Sequence, residues 1–456
     1  MPTKTFRRGL HVPERKEPTE GKSAETVPAL TQAVIPVNQH FGAPNQSLVA
    51  VGDTVRRGQK IADASGLMTV PVHASISGVV KKIEPRTQSN NLEGPCIVIE
   101  APGGDVSAAG GVPEGDDFMP PLDVYSCSKE EALARIRDAG IVGMGGAGFP
   151  VHVKLNPPPH KPIDFVIANA AECEPYLTTD EWLMSERAEL FVRGLAAVMH
   201  ITGVSKGIIG LEDNKARLKP VLEEAVKKTA PKGEVVVQLL KTKYPQGGEK
   251  FLITATTGRE VPSGGLPMDV GCIVQNVGTL AAIAEAFQLG KPLIERSLTV
   301  TGGACRTPKN IIAPIGTLIS ELPQSFMDID YDSLKKIIFG GPMMGVAVST
   351  TAIPVQKNTS GVVLMDAGEV KAFDEAYCIR CGRCIRNCPS RLVPVLLNEA
   401  LETGDFDEAI KTGLLDCIEC GCCSYVCPAR IKLVQRFRVG KQRYRTIQAA
   451  QPKPAK

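Results

Sequence analysis

Two near-copies of one cysteine pattern, separated by 28 residues, restrict this chain more than any other feature. Cys378, Cys381, Cys384 and Cys388 precede Pro389, and Cys417, Cys420, Cys423 and Cys427 precede Pro428, so each copy reads C-x2-C-x2-C-x3-C-P. Three thiolates at two-residue gaps wrap one corner of a cubane, and the fourth cysteine, turned away by its proline, ligates the other cluster. The pattern therefore predicts one [4Fe-4S] on Cys378, Cys381, Cys384 and Cys427, and a second on Cys417, Cys420, Cys423 and Cys388. Structural zinc uses two separated C-x2-C pairs without the third cysteine and proline, and disulfide frameworks belong to secreted chains. Cys422, one residue before Cys423, breaks the register and reads as a packed bystander.

The segment resembles the two-cluster bacterial ferredoxins, with a longer insert from Arg391 to Asp416 that reads as two short amphipathic helices. One-electron transfer is the expected outcome, which raises the question of what feeds it. At 456 residues the chain has room for about three or four domains at 100 to 200 residues each. No apolar run approaches the ~18 residues a membrane helix needs, and no apolar segment follows the N-terminus as in a secretory signal. A reducing compartment is expected. The net charge of +3 is too small to argue for nucleic acid. Its distribution is uneven: nine basic residues and no acidic one lie between Arg430 and Lys456. Such a tail either docks on lipid headgroups, an acidic carrier or a partner protein, or stays solvated.

Upstream, residues 1–30 are charged and Pro-rich and read as an extended arm. Residues 31–101 change to short β-type runs with turn signals. Their order, V-x-V-G-D-x-V-x-x-G-Q-x-I followed by P-V-x-A-x-x-S-G-x-V, resembles the barrel-sandwich hybrid of biotinyl and lipoyl carriers. Carriers place a modifiable lysine at the hairpin tip. Here the tip is Ser65-Gly66-Leu67-Met68-Thr69, so a docking or structural role is expected. Residues 102–121 are Gly- and Pro-rich and read as a linker. Ser128 then caps a helix with Leu133, Ile136 and Ala139 on one face, and its end delivers Gly143-Met144-Gly145-Gly146-Ala147-Gly148-Phe149-Pro150. Glycines at that density let backbone N–H groups close on a phosphate, and Lys154 adds a charge. The run Asp164 to Ala168 reads as a buried strand that ends in polar Asn169-Ala170-Ala171-Glu172-Cys173-Glu174.

With Tyr244-Pro245-Gln246-Gly247-Gly248-Glu249 and Val274-Gln275-Asn276-Val277-Gly278-Thr279, these stretches resemble the flavin- and NADH-binding 51 kDa subunit of respiratory complex I, over roughly Leu122 to Gly345. That resemblance implies a Rossmann-like α/β domain at 122–262 and a β-grasp module of the soluble-ligand-binding type (SLBB) at 263–345, with a connector at 346–370. It implies that Gly143, Gly145, Gly146, Gly148 and Lys154 cradle the FMN phosphate, that Asn169 and Asn276 contact FMN, and that Tyr244, Gly247 and Glu249 wall flavin and nicotinamide. Glu172 and Glu174 match carboxylates near the nucleotide, or else cap the helix before Trp182. Ala171 and Gly248 replace acidic residues of the complex I pattern, a departure that bears on NADH binding more than on flavin.

The order barrel-sandwich, flavin domain, β-grasp module, two-cluster ferredoxin domain (371–430) and basic tail (431–456) makes a multidomain α/β plus β chain resembling the C subunits of Rnf complexes. Membership implies electron exchange between NAD(H), FMN and two [4Fe-4S] clusters within a membrane-bound ferredoxin:NAD+ oxidoreductase that translocates Na+ or H+. It also implies other Rnf subunits as partners, among them a ferredoxin-like iron–sulfur subunit and membrane subunits. Peripheral attachment to the cytoplasmic side of the bacterial membrane is expected. A cobalamin reductase built from similar parts and a non-catalytic electron-relay adaptor are the alternatives. The six histidines follow no metal spacing and read as structural.

Overall fold

A computed structural model describes residues 3–102, 115–229 and 231–450. Most of the expected linker, as well as Lys453 and Lys456 of the basic tail, lie outside the described residues.

The centre of the molecule is a four-stranded parallel sheet in the order Glu234–Leu240, Lys206–Glu212, Phe165–Ala170, Cys272–Asn276. Its strands are apolar on both faces because helices cover both. Val166, Ala168 and Ala170 face the helices Ala188–Thr202 and Val277–Gln288, while Ile167 and Val274 face the helix Glu249–Thr257. The chain starts in Phe165–Ala170, builds outward on one side, then returns to the other side with Cys272–Asn276. The resulting gap between two diverging connections is where open α/β sheets receive ligands, at the carboxyl ends of the strands.

Two antiparallel sheets flank this unit on its N-terminal side, one of four strands (Gln32–Pro36, Glu93–Glu100, Gly78–Thr87, Thr54–Val55) and one of three (Gln46–Ser47, Lys60–Asp63, Val72–His73). Their tip at Leu67 docks on the central unit, its carbonyl 3.0 Å from His152 Nε2, and Arg137 reaches Asp63 and Ala64 beside it. A six-stranded mixed sheet follows: Ala24–Thr26, Lys309–Pro314, Glu295–Thr301, Gly361–Asp366, Leu334–Phe339, Val346–Val348. Its edge strand comes from the N-terminal arm, which also pairs Lys4 and Leu10 with residues 240 and 244. The arm is extended, as its composition suggests, but pinned along its length.

The expected limits of the small sheet shift in both directions. Cys272–Asn276 and its following helix, expected in a module at 263–345, belong to the parallel sheet, since the strand is buried along nearly its whole length. Gly361–Asp366, expected in a connector at 346–370, is a central strand of the six-stranded sheet, buried at residues 361–364. A continuous apolar run suits either position, and only pairing decides.

Close approach of elements is visible at Gly194, where an added Cβ would lie 1.9 Å from the Leu280 carbonyl oxygen on the facing helix. Gly194→Ala is therefore expected to lower stability by about 1–3 kcal/mol through overpacking, read as a lower urea midpoint. At the meeting of the N-terminal unit and the central unit, Lys357 is fully buried and donates to Pro71 O (2.8 Å) and Gly140 O (2.7 Å). Burial pushes its ammonium down from 10.5 to about 7. Below pH 7 both folded and unfolded chains hold this proton, and above it the folded chain releases it first. The parent should thus gain stability relative to Lys357→Met as pH rises from 7 toward 10.5, by at most roughly 1.4 kcal/mol per pH unit. Urea titrations of both proteins at about pH 7 and about pH 9 measure this difference.

Candidate functional site

Two asparagines stand side by side at the carboxyl end of the parallel sheet, because the register pairs Asn169 with Asn276. Above them lies the Gly-rich loop, brought there by the helix Lys129–Asp138, whose Ser128 forms a capping box with Glu131. The loop is held from several elements. Gly143 N donates to Phe149 O (2.9 Å), Met144 N to Thr279 Oγ1 (2.9 Å), and Phe41 N to Gly148 O (2.9 Å). Arg296, fully buried, donates to Met144 O (3.3 Å), and Asn358 Nδ2 donates to Gly146 O (3.2 Å). A Cβ on Gly145 would press on Asn276 at 3.1 Å, and Gly148 has φ +68°, whereas Gly146 faces open space. Beside this loop Arg296 Nη1 is a buried donor without a partner. An unpaired buried donor near an open glycine backbone fits a polar, phosphate-bearing group.

The remaining predicted residues divide. Asn169 Nδ2 donates to Gly247 O (2.8 Å), and Gly247 sits so close to Ala171 that a Cβ would meet its carbonyl oxygen at 2.1 Å. Asn276 caps the helix Val277–Gln288 through Gly278 N (2.9 Å) and donates to Asp180 (2.7 Å). Lys154 and Glu249 form an ion pair with each other. Glu172, matched by resemblance to a carboxylate near the nucleotide, instead points inward. It accepts from Asp180 N (2.8 Å) and Glu181 N (3.4 Å) at the start of the helix Thr179–Glu186, and has Lys16 at 3.7 Å and Lys215 at 3.9 Å. The first turn of a buried helix leaves amides that need an acceptor, and Glu172 supplies it.

Glu174 is also enclosed, accepting from Met343 N (3.0 Å) and Met344 N (3.0 Å), and burial pushes its carboxyl up to about 7. Tyr244, expected on a flavin wall, is 1 % exposed and turns its hydroxyl to Cys420 O (2.8 Å), with Glu174 at 3.3 Å. Asp180 and Arg296 were missed from the sequence. Burial and neighbouring Glu172 push the Asp180 carboxyl up, to about 6. Neither lies in a recognisable motif, and a lone arginine in a β-run carries no signal of inward placement.

The two cysteine segments share an unusual backbone. Arg380 and Glu419 have φ +55° and +58°, Gly382 and Gly421 +69° and +78°, and Arg391 and Arg430 +61° and +56°. Left-handed residues at equivalent places curl each loop so that Arg380 N and Glu419 N point at Cys378 Sγ and Cys417 Sγ, both at 3.4 Å. One cavity is lined by Cys417, Cys420, Cys422 and Cys423 together with Cys388 of the other copy, so Cys388 lies with the second loop, while Cys422, expected as a bystander, shares the lining. The short helices Arg383–Asn387 and Cys422–Tyr425 lie side by side, and Cys384 and Cys427 pack against the same apolar cluster. Cys422 is buried with Tyr244 and Leu10. The insert forms the helices Pro394–Thr403 and Phe406–Lys411.

A glycine-rich loop over the carboxyl end of a parallel sheet, joined to two doubled cysteine loops, is the arrangement of flavin-linked electron-transfer proteins. Family models describe the same parts: an RnfC barrel sandwich hybrid domain over 4–104, a Nuo51 FMN-binding domain over 136–285 and a 4Fe-4S dicluster domain over 371–428. The chain is 45 % identical to the C subunit of the proton-translocating ferredoxin:NAD(+) oxidoreductase complex of Clostridium ljungdahlii, over 87 % of this chain and 84 % of that one. It is 43 % identical to the Na(+)-translocating counterpart of Acetobacterium woodii, over 96 % of each. An NAD+-reducing [NiFe]-hydrogenase in the H2-reduced state aligns with a TM-score of 0.49 at 19 % identity, over 74 % of this chain and 66 % of that one. The chain belongs to the family of C subunits of ion-translocating ferredoxin:NAD(+) oxidoreductase (Rnf) complexes.

Because Gly146 faces open space with an ordinary φ, Gly146→Ala should leave the urea midpoint unchanged while weakening FMN binding about tenfold by crowding a phosphate. Quenching of flavin fluorescence on titration checks it.

Proposed function

We propose that this chain is the NAD(H)-linked electron-entry and exit subunit of an ion-translocating ferredoxin:NAD+ oxidoreductase. Bound FMN would supply the exchange between a two-electron hydride and single electrons, and two [4Fe-4S] groups would supply one-electron carriage. The observation that carries this reading is Tyr244: the turn that closes on Asn169 through Gly247 also holds the Cys420 carbonyl. Crevice and inner cysteine loop therefore share one rigid element.

The chain's own residues have separable tasks. The N–H groups of residues 145–148 would receive the FMN phosphate, with Lys154 adding positive charge. Asn169 and Asn276, at adjacent strand ends, would orient the ring, and Glu249, paired with Lys154, would face the nicotinamide. Tyr244 and Gly247 close the back of the crevice and set its distance from the inner cysteines. Glu172 and Glu174 act behind the site, holding a helix start and the Met343–Met344 turn. Cys388, Cys417, Cys420 and Cys423 would hold the inner cluster, and Cys378, Cys381, Cys384 and Cys427 the outer one. The parallel unit is Rossmann-like, and the six-stranded sheet is an SLBB-type β-grasp module that braces the loop through Arg296 and Asn358. No helix among the described residues is long and apolar enough to cross a membrane. Attachment to the cytoplasmic face of the membrane then runs through partner subunits.

Anaerobically prepared protein should bind FMN, contain about eight irons and reduce ferricyanide with NADH. Iron-replete, FMN-supplied protein without that activity would remove the catalytic reading. Cys388→Ser should disturb the set built on Cys417, Cys420 and Cys423, and loss instead of the Cys378–Cys381–Cys384 signal in EPR would overturn the crossed ligation.

A further inference from the structure

Asn276 is not free to turn its amide over. Its Oδ1 accepts from Gly278 N (2.9 Å), and its Nδ2 donates to Asp180 Oδ2 (2.7 Å). A backbone N–H can only donate and an ionised carboxylate can only accept, so the reversed amide would set donor against donor at one end and oxygen against oxygen at the other. Asp180 therefore decides what Asn276 offers the crevice. Nδ2 carries two hydrogens, and Asp180 takes one. The nitrogen lies 3.4 Å from where a Cβ on Gly145 would sit, so its second hydrogen, without a partner among the described residues, is left beside the Gly-rich loop.

Asp180 is itself held in place. It lies in the first turn of the helix Thr179–Glu186, and its backbone N–H donates to Glu172 Oε1 (2.8 Å). Its carboxyl group is faced by Glu172 from the turn after Phe165–Ala170, by Arg296 from the six-stranded sheet, by Lys215 from the turn at Asp213–Leu218, and by the Asn276 amide from the neighbouring strand end. Burial and then Glu172 favour its neutral form, while Arg296, Asn276 and Lys215 favour the anion. Glu172 has two further cations of its own, Lys16 at 3.7 Å and Lys215 at 3.9 Å. Asp180 is thus the member of this cluster whose carboxylate bonds a side chain of the crevice, and its charge is balanced near neutrality.

Resting on the function proposed above, we propose that Asp180 is a positioning residue for the flavin: as an anion it fixes the Asn276 amide so that a hydrogen-bond donor, and not the amide oxygen, meets the ligand. The crevice then selects an acceptor atom at that point, an oxygen or an unprotonated ring nitrogen. Asp180 acts through Asn276 and needs no contact with the ligand. A neutral carboxyl group has both a donor and an acceptor, tolerates either orientation of the amide, and leaves Gly278 N as its single constraint. The carboxyl group changes state at about pH 6, so the donor is enforced above that pH and released below it. Flavin affinity should accordingly rise as pH passes upward through 6 and level off above it.

The test is FMN titration of the full chain, prepared anaerobically and freed of flavin, with quenching of flavin fluorescence as the signal. Asp180→Asn keeps shape and an acceptor oxygen but turns its own amide either way, so it should bind FMN about tenfold more weakly than the parent at about pH 8, the gap narrowing to about threefold at about pH 5.5. The FMN phosphate titrates in the same range but acts equally on both proteins, so the ratio of affinities is the readout. Asn276→Ser keeps an acceptor for Gly278 N and lacks the amide, and adding Asp180→Asn to it should change affinity by less than about twofold at either pH. If Asp180→Asn does not fold, the ratio of parent to Asn276→Ser should narrow in the same way as pH falls. Equal affinities of parent and Asp180→Asn at the higher pH, a ratio that does not change with pH, or the full loss persisting in the Asn276→Ser background would each overturn the assignment. Parent protein that binds no FMN at either pH would overturn the function proposed above and this assignment with it, whereas a parent that binds FMN and is matched by Asp180→Asn overturns this assignment alone.

Discussion

The hydrogen bond from the Tyr244 hydroxyl to the Cys420 carbonyl joins two parts of the chain that are 176 residues apart. Everything that makes the molecule a conductor depends on that junction, because electron transfer falls off steeply with distance and the crevice and cysteine loops lie on different folding units. The phenol is buried, so its donor needs a partner, and a carbonyl on a left-handed turn is a partner of fixed position. Glu174 serves the same junction from beneath by accepting the amides of Met343 and Met344, and the Met343 carbonyl lies 3.0 Å from where a Cβ on Gly421 would sit.

Beneath the crevice the structure accepts buried charge in order to hold backbone. Lys16 of the N-terminal arm donates to the carbonyls of Glu172 (2.6 Å) and Leu177 (2.7 Å), and burial, then Lys215, lowers its basicity. Arg296 spans Thr359 O (2.9 Å) and Met144 O. Desolvation makes such groups costly in isolation, but each serves carbonyls of irregular chain that no sheet or helix would otherwise satisfy. This places the N-terminal arm and the six-stranded sheet in the support of the site.

Much of the plan was legible because it is local in sequence. Cysteine spacing, the capping box at Ser128, and the glycine run after it are read at separations of a few residues, and the folded chain has each as a local structure. The role of Tyr244 was not legible, and for Glu172 the sequence offered two roles without choosing between them. A carboxylate two residues past a strand can face out to ligand or back to a helix terminus, and the structure has the second, the capping alternative. Three pairings of the basic tail were not legible either: charge counting sees Arg436, Arg438 and Lys441, but not Glu375, Glu402 and Glu419 opposite them.

By itself the sequence determined which groups could do chemistry: eight thiols in two registers, a backbone stripped of Cβ atoms for an anion, and an asparagine at the end of each of two apolar runs. These follow from covalent spacing, which folding cannot alter. Tertiary structure alone decided which cysteine set is enclosed and which faces solvent, which carboxylates turn inward, and which strands share a sheet. Those outcomes depend on burial and pairing between segments tens to hundreds of residues apart, where the balance of desolvation against hydrogen bonding is settled by neighbours that no single stretch contains.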